Sequence, residues 1–338
     1  MEGDLLFFPS YARFHCDPNK HIKIEYKGWV FKNNLTTSQK LAKNASRRIL
    51  SIFAAHGSTN DAQTYEQRST PFLAHSIKHA RIQIAVLTFD NVEIMSFEVE
   101  TDGKGIFIGT ASIPVNSLEE HSLFKLEAFS IDVPSIQSSA SVPVISPTGV
   151  SVISDVDDTI KDSLVYRGKI SAVGVAMFGE FKEVPGICDT YNYLVGKGAR
   201  IHYVSAGPYQ LLPTLSLFLS QFNFPAGSLN LRSLGTESSS VYKHRVIAKI
   251  IQDFPDRRFI LVGDSGEQDI EIYERIRAAF PDNIIKVFIR HVGDKSAKDL
   301  EERARLIFGL EKHTNSFTWK LFVDSLDIAR DDDVGIYV

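Results

Sequence analysis

Residues 22–31 (Ile-Lys-Ile-Glu-Tyr-Lys-Gly-Trp-Val-Phe) begin by alternating apolar and charged side chains, the period of two that a half-buried strand requires. Helical spacing follows. Leu41, Ala45, Ile49, Ile52 and Phe53 share one face, with cap residues at Thr36-Thr37-Ser38 and a stop at Gly57. The opposite face of this predicted helix carries Lys40, Lys43 and Arg47. Strand patterns return at 82–87, 92–99, 105–113 and 123–133, separated by Asp90-Asn91, Asp102-Gly103 and Asn116-Ser117, which suit turns. This half predicts a small, mainly β, sandwich-like domain with a basic helix. Ser135 to Thr148 is rich in Ser and Pro and has no charge, which reads as a linker or an irregular crossover.

Beyond residue 146 the pattern changes to apolar strands at 150–155, 200–205, 258–263 and 284–289 with helical stretches between them. Strands apolar on both faces are expected where helices cover both sides of a parallel sheet. The prediction is an α/β doubly wound domain over 146–338, preceded by the β domain over 1–145. No repeat of 20–50 residues interrupts this plan, and Asp331-Asp332-Asp333 reads as a solvated tail.

With 338 residues, the chain is long enough for two cores. Its 43% hydrophobic and 23% charged content is that of globular domains. A net charge of -4 gives no general field for nucleic acid, so charged partners must be recognised locally. Cys16 and Cys188 have no metal or redox spacing and are expected to be free thiols, as in a reducing, cytoplasmic setting. Leu5-Leu6-Phe7-Phe8 is too short for a signal-peptide core, and no stretch approaches the roughly 18 apolar residues of a membrane span. Membrane contact is therefore expected to be peripheral.

The chemistry concentrates at predicted strand ends, where open α/β sheets bind ligands. Asp155-Val-Asp157-Asp158-Thr159 places three carboxylates within four residues. Alone it is compatible with a polar turn; as a site, it calls for a hard cation such as Mg²⁺. Asp155 then suits attack on phosphorus, and Asp157 suits proton transfer. Ser205, before Ala206-Gly207-Pro208 and a predicted helix start, suits a phosphate oxygen or simply a turn. Lys243 opens a predicted helix with Val246, Ile247 and Ile250 on its buried face; a cation there opposes the helix dipole and calls for an anion. Gly263-Asp264 ends another strand, and Asp269 opens a helix as a metal ligand, as its cap, or as both.

In this order the four segments resemble the signature of the haloacid dehalogenase superfamily. Gly149–Lys161, Tyr203–Leu211 and Phe254–Asp269, together with Leu6–Arg13 and Gly28–Phe31, further resemble the actin-patch-associated phosphatidate phosphatase family. The resemblance implies Mg²⁺-dependent hydrolysis of phosphatidate to diacylglycerol through an aspartyl-phosphate on Asp155. Asp157 would be acid/base and main-chain ligand, Thr159 an orienting hydroxyl, and Ser205 and Lys243 phosphate holders. Asp155, Asp157, Asp264 and Asp269 would form the metal site. It also implies endocytic partners at cortical actin patches. The chain departs from the family pattern at Ala206-Gly207 and between Tyr166 and Lys182, where substrate should enter.

Between Lys20 and Arg48, eight basic residues face one acid, Glu25, a net +7 from side chains. That suits an anionic lipid surface, at about 1 kcal/mol per engaged base, and equally a solvated face. Two other functions share these features: a phosphatase of soluble or protein phosphoesters, and a membrane or cytoskeletal adaptor with minor catalytic activity.

Overall fold

The alternation at 22–31 belongs to a long strand that organises the first part of the chain. The structure is a computed structural model, describing residues 3–14, 21–33, 43–44, 61–114, 123–293, 296–309 and 318–329. Two compact units emerge, one from residues 1–44, 69–147 and 227–229, the other from 45–68, 148–226 and 230–338.

The first part runs β1 (Asp4–Phe7), β2 (Ala12–Phe14), β3 (His21–Lys32), α1 (Asp61–Leu73), β4 (His75–Ser76), β5 (Arg81–Thr88), β6 (Glu93–Glu100), β7 (Ile106–Pro114), β8 (Leu123–Ser130) and β9 (Gln137–Ile145). Strand β3 pairs with β1, β2, β4 and β7, while β9, β8, β5 and β6 continue the sheet; only the β2–β9 pairing is parallel among those described. Ile22, Ile24 and Val30 of β3 share one buried cluster with Ile82, Ile84, Val86, Leu126 and Val142, so inward residues of both halves fill a common core as in a sandwich. Gly28 interrupts the alternation because the Phe107 ring lies where its Cβ would be. Trp29 then stacks on Phe31 with centroids 3.9 Å apart.

The expectation of a linker or irregular crossover at 135–148 is corrected: residues 137–145 form β9, antiparallel to β8 from Gln137 opposite Phe129 to Pro143 opposite Leu123. Its alternation is masked in sequence because Ser and Ala fill positions where larger contrasts normally mark a strand. The helix expected between 36 and 57 lies outside the described residues except 43–44, as do Cys16 and the acidic triplet. Lys43, expected on a basic face turned to a lipid surface or to solvent, is instead buried and donates to Thr70 Oγ1 at 2.9 Å.

The second part runs β10 (Gly149–Ser154), α2 (Lys169–Phe178), α3 (Ile187–Gly196), β11 (Arg200–Pro208), α4 (Leu212–Gln221), β12 (Gly227–Arg232), α5 (Ser239–Asp253), β13 (Arg257–Asp264), α6 (Asp269–Ala279), β14 (Ile284–Arg290), α7 (Ala297–Phe308), β15 (Thr318–Phe322) and α8 (Leu326–Ala329). The sheet order is β12-β11-β10-β13-β14-β15, with β10, β11, β13, β14 and β15 joined by parallel pairings. This is a mixed α/β chain with one parallel sheet. Val152, Ile153, Ile260, Leu261, Val287 and Phe288 are fully buried, which accounts for strands without a polar face. The chain winds outward from β10 in one direction and from β13 in the other, so their C-terminal ends flank the switch point where such sheets bind ligands.

At the opposite end Arg257 pins these two strands. Its Nε donates to Ser151 Oγ at 2.9 Å, and its terminal nitrogens donate to the carbonyls of Thr148 and Val150. No helix among the described residues is long and apolar enough to cross a membrane.

Candidate active site

Asp155 follows the last residue of β10, and its N–H continues the ladder to Val262 O at 2.9 Å. Strand geometry therefore delivers its side chain to the switch point, where it is 2% exposed. One carboxylate oxygen accepts from Thr159 Oγ1 at 3.1 Å; the other is 2.8 Å from Lys243 Nζ. Burial pushes the Asp155 carboxyl above the usual carboxylate range, and the Lys243 ammonium pulls it back.

Lys243 is 1% exposed and lies in the second turn of α5, which Ser238 caps by accepting from Val241 N. It does not open the helix, as the sequence suggested. The anion expected beside it is supplied by Asp155, by Asp269 at 2.7 Å and by Glu267 at 3.2 Å. Burial alone would lower the Lys243 pKa, but these carboxylates together raise it well above the ordinary value.

Asp264 ends β13 and Asp269 opens α6. Asp269 accepts from Lys243 with one oxygen and from Asp264 N at 3.2 Å with the other. Gln268 holds the N-cap position without a side-chain cap bond, so Asp269 acts across the site and is not the helix cap. Gly263 makes that reach possible: a Cβ there would collide with the Asp269 carboxylate and the Tyr273 ring.

Asp155, Asp264 and Asp269 each offer a carboxylate oxygen, all within 4.8 Å of one another. One Asp264 oxygen accepts from Gly266 N at 2.6 Å; the other is buried without a hydrogen-bond partner. Burial, then the neighbouring Asp269, drives the Asp264 carboxyl well above its usual range. An orphaned buried oxygen in a cluster of oxygen donors fits a hard divalent cation. The Asp157 carboxylate stands outside this group.

Asp157 instead faces two hydroxyls. Its Oδ1 accepts from Ser163 Oγ at 2.7 Å, and its Oδ2 accepts from Ser205 Oγ at 3.2 Å. Ser205 lies in β11, which runs to Pro208; a 3₁₀ turn at Tyr209–Leu211 precedes α4. The expected helix start at Pro208 is thus a strand end, and Gly207 N is spent on Ser205 Oγ at 3.0 Å. Asp155, Thr159, Lys243, Asp264 and Asp269 thus meet in one network and Asp157 and Ser205 in another, while four residues around them carry contacts that the sequence did not signal.

Ser163 carried no signal beyond its distance from Asp157 along the chain. Asp158, taken only as part of the acidic run, stands in left-handed backbone at φ 56°. Its carboxylate accepts from Ser163 N, Leu164 N and Tyr166 N at 2.9, 2.7 and 3.1 Å, folding the following loop over the site. Arg290, at the end of β14, donates to Asp158 O at 2.6 Å. Tyr166 then lies against two glycines from separate loops, since a Cβ on Gly266 or Gly293 would meet its side chain at 3.0 or 3.2 Å.

The fold and site define a doubly wound α/β domain with acidic residues gathered at the switch point around a buried lysine. Residues 150–291 match the family model described as phosphatidate phosphatase APP1, catalytic domain. The chain is 34% identical over 156 residues to phosphatidate phosphatase APP1 of Saccharomyces cerevisiae, covering 43% of this chain and 26% of that protein. It is 30% identical over 251 residues to an uncharacterised protein of Schizosaccharomyces pombe, covering 68% of this chain and 40% of that one. The chain thus spans well under half the length of either relative. Among solved structures, a Pnkp1/Rnl/Hen1 complex aligns with 46% of this chain and 54% of its own at TM-score 0.35 and 14% identity, a level that carries no inference.

Proposed function

We propose that the chain is a Mg²⁺-dependent phosphatidate phosphatase of the haloacid dehalogenase type, acting at a membrane surface and forming an aspartyl-phosphate on Asp155. The observation that carries this reading is the meeting of Asp155, Lys243, Asp264 and Asp269 within the segment that matches the APP1 catalytic family. Asp155, Asp264 and Asp269, with the main chain of Asp157, would hold Mg²⁺. The ion supplies positive charge that offsets the crowded carboxylates and the substrate phosphate.

In the first half-reaction an Asp155 oxygen forms a bond to phosphorus as the bond to the lipid oxygen breaks. Asp157 gives that leaving oxygen its proton, producing diacylglycerol. In the second, Asp157 takes a proton from water, whose oxygen bonds to phosphorus as the bond to Asp155 breaks, releasing phosphate. Thr159 orients Asp155; Ser205 and Lys243 hold the phosphoryl group, and Ser205 must turn from Asp157 to do so. The resemblance carries the reading to a peripheral cytoplasmic protein with endocytic partners at actin patches.

The test is phosphate release from phosphatidate in mixed micelles with Mg²⁺, beside a panel of soluble and protein phosphoesters. Phosphatidate is expected to be preferred, with rates falling as detergent dilutes the lipid surface. Asp155→Asn is expected to lower release about 10³-fold or more. Wild-type-like release by that variant overturns the nucleophile, and preference for a soluble ester overturns the lipid substrate.

A further inference from the structure

Asp157 is held by a second hydroxyl that the functional reading leaves without a task. Ser163 is 3% exposed, and its Oγ donates to Asp157 Oδ1 at 2.7 Å. The same oxygen accepts from Lys161 Nζ at 2.8 Å. Lys161 is itself 4% exposed, so a long charged side chain has been taken out of water to reach this hydroxyl. Residues 157 and 161 form a β-bridge, as do 161 and Glu183, which fixes the backbone from which Lys161 reaches. Asp158 holds the backbone N–H of Ser163 at 2.9 Å, fixing the other end.

This geometry sets the direction of the hydrogen bonds. A lysine ammonium only donates, so Ser163 Oγ accepts from Lys161, and of its two acceptors, Asp157 Oδ1 at 2.7 Å and Lys161 O at 3.4 Å, its single proton goes to the nearer. The bond on the other side is different. Ser205 Oγ reaches Asp157 Oδ2 at the longer distance of 3.2 Å, and no ammonium fixes where its hydroxyl proton points. Its oxygen accepts from Gly207 N and keeps a second lone pair. Each serine oxygen keeps one lone pair, but Ser163 is the closer partner of Asp157 and is itself braced by a buried ammonium, so its bond to Oδ1 is the firmer of the two.

We propose that Ser163, braced by Lys161, is a positioning residue for the reaction: it locks Asp157 by Oδ1 and so leaves Oδ2 as the oxygen that passes the proton to the leaving alcohol. The inference rests on the phosphatase reading above, in which Asp157 is the acid. Its consequence is selective. Loss of the lock impairs protonation of a poor leaving group, and leaves nearly untouched a substrate whose leaving group departs unprotonated.

The experiment compares short-chain phosphatidate with its analogue in which sulfur replaces the bridging oxygen, a thiolate needing no proton to leave. kcat/KM is read because it covers every step up to departure of that group, and thermal melting of each variant is recorded alongside. Ser163→Ala is expected to lower kcat/KM on the oxygen ester by about 10-fold or more, within the range general acids supply, and on the sulfur ester by less than about 3-fold. Lys161→Met, which keeps the Ser163 hydroxyl but frees its direction, is expected to show the same selectivity with a smaller loss and serves if Ser163→Ala melts early. Ser163→Thr, which restores a hydroxyl, is expected to recover the oxygen ester.

Equal losses on both esters, or no loss on either, in a folded variant overturn the inference while leaving the phosphatase reading standing. Wild-type protein that hydrolyses neither ester overturns both.

Discussion

Asp264 shows at the scale of one residue how the site is held against its own charge. Its carboxylate shares a space under 5 Å across with Asp155 and Asp269, and one of its oxygens has no hydrogen-bond partner. The only cation in direct contact with this group among the described residues is Lys243, bonded to Asp155 and Asp269. In metal-free protein the Asp264 carboxyl titrates above its unfolded value, so the folded state binds its proton more tightly. Stability from that proton is full below the unfolded pKa, about 3.9, and is lost as pH rises through the higher folded pKa. Asp264→Asn removes the loss. It is expected to raise metal-free stability at neutral pH by about 1 kcal/mol, to abolish any Mg²⁺-induced rise in melting temperature, and to remove activity. A variant that is less stable without metal, yet still stabilised by Mg²⁺, contradicts this account.

The residues of this site were legible because most sit within a few residues of a strand end or helix start, where a period break draws attention. What could not be read was their pairing. Lys243 was expected to meet a phosphate, yet three carboxylates surround it; Ser205 was expected to face substrate, yet its hydroxyl meets Asp157. Ser163 escaped because a hydroxyl six residues beyond Asp157 faces it only once Asp158 has turned the backbone.

At the scale of elements, strand β13 and helix α6 are joined by an approach that only glycine permits. Gly263→Ala places a methyl against the Asp269 carboxylate and Tyr273, whose hydroxyl donates to Val262 O at 2.9 Å. The expected cost is about 1–3 kcal/mol, measured by urea unfolding, together with loss of activity through a displaced Asp269. Strand β11 carries a different device. His202 is fully buried, and burial pushes its pKa down to about 3. The unfolded histidine, near 6.5, binds its proton first, so stability is full above that value and falls as pH drops towards 3. The slope contributed is about 1.4 kcal/mol per pH unit, and His202→Gln is expected to flatten it in a pH series of urea midpoints.

Strands with large apolar contrasts were readable in the sequence, including β3, β10, β13 and β14. Strand β9 was not, because Ser and Ala carry little contrast between faces, and neither β12 nor β15 was anticipated. Gly227–Arg232 and Thr318–Phe322 are short, and each lies at an outer position of the sheet, where burial imposes a weaker pattern.

At the scale of the whole molecule, each compact unit contains one of the two tryptophans, Trp29 in the first and Trp319 in the second. Trp29→Phe and Trp319→Phe therefore give single-reporter proteins. Mg²⁺ at about 100 times its dissociation constant is expected to stabilise the unit that binds it by about 2.7 kcal/mol. Fluorescence of Trp319 during urea unfolding is expected to show that shift, and chelation to reverse it. No change at Trp319 argues against a metal site in the second unit.

Tyr166 has a bearing on how such a protein could be altered. Its Cβ lies against Gly266 after β13 and its ring against Gly293 after β14, while its own backbone N–H is held by Asp158 after β10. Three loops from three strands thus interlock through a single residue. Exchanging any one of them with a homologue's loop brings a side chain that the other two are not shaped to receive. New specificity at this site must come from changing the set together, and single-loop grafts are poor starting points for redesign.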